Sequence, residues 1–174
     1  MLFRSNQQYL GRLSTAALAE AVRPVLEAAG LWRDEYATTA RDWFFAVLEL
    51  LRPRAKRATE FAELGRYFFS DAFEYDAAAV AKHLNAPDMD AHLRALAKAF
   101  DEKAAFDAAS IEAVLRAVAE ARGLKAPALI HALRVSVTGR AASPGLFEVI
   151  VLLGRQRTAD RIACAVGMLG ERRA

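Results

Sequence analysis

A single cysteine, Cys164, in 174 residues excludes an internal disulfide. With no Cys-x-x-Cys pair and no Cys/His cluster, the chain also lacks a metal framework, and a reducing, cytoplasmic setting is expected. No run approaches the roughly 18 apolar residues of a membrane span, and the start MLFRSNQQYL lacks the apolar segment of a signal peptide. The expectation is a soluble chain that is not exported. Catalytic signatures are missing as well. Neither a Gly-x-Ser-x-Gly elbow nor a phosphate-binding P-loop occurs, and Ser143-Pro144-Gly145 reads as a helix start. His83, His92 and His131 are not at His-x-x-x-His spacing, and surface or capping roles are expected of His83 and His92 rather than metal ligation. Nothing among the 21 acidic residues marks a pair held across a cleft. The sequence therefore names no catalytic residue and no metal ligand.

What is present is helical. Ala, Leu, Arg and Glu dominate a chain that is 55% apolar, enough for one core or two small helical subdomains, and strand-like alternation is nearly absent. The fold class expected is all-α. Leu18, Val22, Val25 and Leu26 form one stripe between a Ser14 cap and a Gly30 stop. A second helix is predicted from Asp34 to Leu51, ended by Pro53. Short helices follow, one capped by Thr59 and one begun at Asp76. Pro87 is expected in the first turn of a helix running to Phe100, and Ser110 as the cap of the next. Pro127 starts a helix that ends at Thr138–Gly139, Ser143–Pro144 another through Leu153, and Arg155 to Leu169 the last. The segment 146–153 is apolar nearly all round and is expected to be buried among its neighbours. The aromatic cluster Tyr67, Phe68, Phe69 ends where an acidic stretch begins, which suggests two helical subdomains, 1–75 and 76–174.

Charge is uneven along the chain. Residues 1–66 hold ten basic and eight acidic residues, 67–121 five and ten, and 122–174 nine and three. Basic ends around an acidic middle suit a polyanion, although a solvated helical surface would show the same counts. Two segments concentrate the cations. In Arg52-Pro53-Arg54-Ala55-Lys56-Arg57 a proline breaks a helix and four cations stand at the break, as suits a loop that reads single-stranded RNA. Basic residues that offset a helix dipole would explain one or two of them. In Arg134-Val135-Ser136-Val137-Thr138-Gly139-Arg140, with Ser143 to Leu146 following, two arginines flank a short loop. Pro144 and Leu146 there could offer a flat platform to unstacked bases, or Leu146 could simply enter the core. The helix, Leu-Gly-Arg turn and helix of 144–169 also permit a helix-turn-helix reading, with Arg155, Arg157 and Arg161 facing DNA; a hairpin closing the core is the alternative.

At these segments the chain resembles a known family. RPRAKRATEF at 52–61, ALIHALRVSVTGRAASPGLFEVIVLLGRQR at 128–157 and NQQYLGRLS at 6–14 are similar to the C-terminal third of bacterial glutamyl-tRNA synthetases. The resemblance implies a multi-helix anticodon-binding region that partners glutamate tRNA and the catalytic domain of its own full-length chain. That domain's His-Ile-Gly-His-like and Lys-Met-Ser-Lys-Ser-like signatures are absent here, so ATP, Mg and aminoacylation belong to the parent enzyme, and no cofactor is expected in this fragment. A monomer is expected. In the family the second arginine of Arg-Pro-Arg reads the third anticodon base, which falls on Arg54. A guanidinium carries only donors, cytosine offers acceptors at O2 and N3, and guanine offers N–H groups on the same edge. Glutamate tRNAs carry cytosine at that position and glutamine tRNAs guanine, so Arg54 implies selection of glutamate tRNA. By the same correspondence Arg134, Ser143, Pro144, Gly145 and Leu146 match the pocket for the first two bases. Arg52, Lys56, Arg57, Arg140, Arg155 and Arg157 are candidates for phosphate contacts. A DNA-binding or protein-interaction module is the alternative function.

Overall fold

A computed structural model describes residues 7–171, all of whose regular elements are helical. Asn6, the first residue of the 6–14 match, lies outside the described residues. The chain divides between Ala72 and Phe73 into two compact units. Phe73, Glu74 and Tyr75, read from the sequence as the end of the first, belong to the second.

The first unit contains α1 (Gln7–Arg12), α2 (Thr15–Ala28), α3 (Arg41–Leu51), α4 (Phe61–Leu64) and α5 (Arg66–Phe69), joined by 3-10 turns at Asp34–Ala37, Arg52–Arg54 and Ala58–Glu60. Ser14 caps α2 as expected, accepting from the Ala17 amide, and Gly30 adopts a left-handed φ of 67° just beyond the helix. The predicted helix from Asp34 to Leu51 is interrupted at Thr38–Ala40. Tertiary packing explains the break: it lets Tyr36 stack on Phe44, with ring centroids 5.2 Å apart, while Trp32 meets Phe44 edge-on. Thr59 lies inside a 3-10 turn rather than capping a helix. Leu18, Val22 and Leu26 of α2 are buried, as are Phe44, Val47, Leu48 and Leu51 of α3 and the aromatic cluster Tyr67–Phe69.

The second unit contains α6 (Ala77–His83), α7 (Met89–Asp101), α8 (Ala108–Ala121), α9 (Ala126–Thr138), α10 (Leu146–Leu153) and α11 (Arg155–Glu171). Asp76 caps α6 through the amides of Ala78 and Ala79. Two expected starts move. Pro87 stands before α7, which follows Asp88 in a left-handed conformation. Ser110 lies within α8, whose cap is Asp107; the Ser110 amide and hydroxyl both donate to its carboxylate, which holds that carboxyl below its ordinary range. Helix α10 is not buried all round. Leu146, Val149, Ile150 and Leu153 face inward, while Val151 is 37% exposed, because two turns of helix turn only one stripe to the core.

The extended residues before α6 fasten to the C-terminal end of α9. The Asp76 amide donates to Gly139 O at 2.8 Å, and the Tyr75 hydroxyl donates to Ser136 O at 3.0 Å.

Candidate nucleic-acid interface

In the first unit the site grows out of the end of α3. Pro53 lacks the N–H that would continue an α-helix, and the chain tightens into the turn Arg52–Arg54. Ala55 and Ala58 then drop into the core, at 0% and 8% exposure, which leaves Arg54, Lys56 and Arg57 outside. Glu60 closes this loop by accepting from the Lys56 amide at 2.8 Å and from Arg57 Nε at 3.3 Å. The Lys56 amide, followed by the burial that opposes it and then by Arg57, is the main influence on the Glu60 carboxyl, which sits below its ordinary value of 4.5. Glu60 escaped the sequence reading, although a carboxylate four residues after a lysine at a turn was the available signal.

The four cations of the segment divide by role. Arg52 points inward: its guanidinium donates to Leu10 O at 3.3 Å, to Leu13 O at 2.7 Å and to Glu49 at 2.7 Å. It closes the C-terminal end of α1 and is not placed as a phosphate contact. Arg57 is paired with Glu60 but stays 67% exposed. The Arg54 guanidinium and the Lys56 ammonium are exposed and have no partner among the described residues.

The second unit brings together Arg134, Ser143, Pro144, Gly145 and Leu146. Arg134 lies in the last turns of α9, half-buried, and its guanidinium donates to the Ser143 hydroxyl and to Pro144 O, the latter at 2.9 Å. Ser143 in turn donates to Pro144 O at 2.8 Å. Thr138 completes the turn, donating to Arg134 O at 2.7 Å and accepting from the Arg140 amide at 3.2 Å. Pro144 is buried and Leu146 is 3% exposed, so in this conformation neither offers a platform to a base. Gly145 is exposed at the start of α10; it has no side chain of its own to cap the helix, and the Glu148 carboxylate lies against it.

Arginines of α11 are largely turned inward. Arg155 donates to Phe100 O and Ala104 O and lies 4.8 Å over the Phe106 ring. Arg161 is 5% exposed, donates to Val137 O at 2.7 Å and covers Phe73 at 4.6 Å. Arg157 is half-buried. A recognition helix needs those side chains on its outer face, so the helix-turn-helix reading of 144–169 fails and the hairpin closing the core stands. Among the described residues no group of three or more His, Cys, Asp or Glu side chains could hold a metal. No helix of the described residues is long and apolar enough to cross a membrane.

An all-helical chain with exposed cations on the turn that ends α3 suits a nucleic-acid-binding domain. A family model described as an anticodon binding domain matches residues 17–166, and the chain belongs to that family. Its relatives include the glutamate–tRNA ligase of Desulforudis audaxviator, 32% identical over 167 residues, which covers 95% of this chain and 33% of the relative. That of Roseiflexus castenholzii is 34% identical over 169 residues, covering 97% and 33%. Glutamate–tRNA ligase 2 of Koribacter versatilis is 40% identical over 117 residues, covering 67% and 24%. The chain thus spans about a third of the length of the first two relatives and is similar to their anticodon-binding region alone. A crystal structure of a glutamate tRNA ligase from Elizabethkingia meningosepticum has the same fold, with a TM-score of 0.82 at 24% identity, over 94% of this chain and 31% of that one.

Proposed function

We propose that the chain holds the anticodon arm of glutamate tRNA on behalf of a glutamate–tRNA ligase whose ATP- and Mg-dependent chemistry is performed by a separate catalytic domain, in the cytoplasm and as a monomer. The observation that carries the reading is Arg54. Its guanidinium is exposed and has no partner among the described residues, on a proline-tightened turn braced by Arg52 and Glu60. A fork of donors carried on such a turn suits the O2 and N3 acceptors of cytosine at the third anticodon position.

In the second unit, Arg134, Ser143 and Pro144 shape the loop, Leu146 anchors it, and the exposed backbone at Gly145 meets the edges of the first two bases. Lys56, Arg57, Arg140 and Arg157 supply charge toward phosphates; Arg52 and Arg155 act within the protein. The test is a titration of the chain against glutamate tRNA and against duplex DNA of equal length at the same salt concentration. Preference for the tRNA is expected, and equal affinity for the two would refute the reading.

A further inference from the structure

Arg52 does more than leave the surface, because it locks the last turn of α1 to the turn that carries Arg54. Its guanidinium spans Leu10 O and Leu13 O, the carbonyls on either side of Arg12. Arg12 is exposed, and its guanidinium has no hydrogen-bond or ion-pair partner among the described residues. Arg54 and Lys56 share both properties. Three uncommitted cations therefore stand on two segments held together by one side chain. The acid nearest the lock, Glu49, is already engaged by Arg52 and by the Thr15 hydroxyl.

We infer that Arg12 is a phosphate contact for the RNA strand whose base Arg54 meets, and that Arg52 is the positioning residue that keeps the two in register. The inference rests on the proposed anticodon function. Like charges on a fixed frame repel in the free protein and are relieved by a polyanion, so the arrangement favours a phosphate chain over a neutral ligand. Neither Arg12 nor Arg52 is expected to distinguish bases.

The experiment measures affinity of the 174-residue chain for glutamate tRNA and for the same tRNA with guanine at the third anticodon position, across a salt series. Arg12→Gln is expected to weaken both by the same factor, about two- to fivefold. It should also reduce the slope of log affinity against log salt by about 0.7. Arg33→Gln, an exposed cation elsewhere in the same unit, is the control and should leave the slope unchanged. In an Arg52→Lys background, confirmed as folded by its helical circular dichroism, Arg12→Gln should cost less than in the native chain. Unchanged affinity and slope in Arg12→Gln, an equal effect of Arg33→Gln, or no coupling to Arg52 would overturn the inference while the anticodon reading stands. Equal affinity of the native chain for glutamate tRNA and for duplex DNA of equal length, added as a third ligand, would overturn both.

Discussion

Arg134 reaches nine residues along the chain to Ser143 and on to Pro144 O at 2.9 Å, so one guanidinium closes the loop between α9 and α10. The family resemblance assigns the same arginine to RNA. In the free protein its hydrogen bonds are made at home, and its first effect is to hold the loop in shape.

Arg134→Ala should therefore lower stability as well as RNA binding. Removing it takes the charged donor away from Pro144 O and the Ser143 hydroxyl, which costs about 1.5–3 kcal/mol. Thermal denaturation in the absence of RNA reads this directly. A variant as stable as the native chain would show that the arginine does not brace the loop.

Two glycines of this region should respond in opposite ways. Gly139 has φ of 73°, and a Cβ there would run into Glu74 O, a backbone atom that Asp76 pairing holds in place. Gly139→Ala is expected to cost about 2–4 kcal/mol. At Gly145 a Cβ would meet the Glu148 carboxylate, the mobile end of an exposed side chain, and φ is −48°. Gly145→Ala should change stability by less than about 0.5 kcal/mol. Urea unfolding of both variants checks the contrast, which similar costs would refute.

Tyr75 makes the second unit sensitive to alkali. Burial first, and then neighbouring Cys164, push its hydroxyl from 10.0 to about 12. The folded value is raised, so the stabilising contribution is complete below pH 10 and is lost as pH rises toward 12. Tyr75→Phe should be less stable at neutral pH, where it lacks the bond to Ser136 O, yet should lose less stability between pH 10 and 12. Parallel decline of the two proteins across that window would contradict this.

Local chemistry made much of the fold legible. Ser14 and Asp76 cap the helices that follow them, Pro53 tightens the end of α3, and Gly139 takes the left-handed conformation at the end of α9. Features that depend on distant partners were not legible. The break at Thr38–Ala40 exists for the Tyr36–Phe44 stack, and Arg155 and Arg161 turn inward to carbonyls 55 and 24 residues away. No local pattern separates such arginines from surface ones. At the candidate site the sequence drew attention to both basic segments but did not reveal that Arg52 is committed, that Pro144 and Leu146 are buried, or that Glu60 closes the first loop.

The most direct test of the account compares affinity for glutamate tRNA with affinity for the same tRNA carrying guanine at the third anticodon position, in the native chain and in Arg54→Ala. The native chain should favour cytosine by about 1–3 kcal/mol, roughly five- to 150-fold, since guanine sets donors against donors. Arg54→Ala should bring the two affinities together. Equal binding of both tRNAs by the native chain, or a preference that survives Arg54→Ala, would contradict the assignment of Arg54 to the third base.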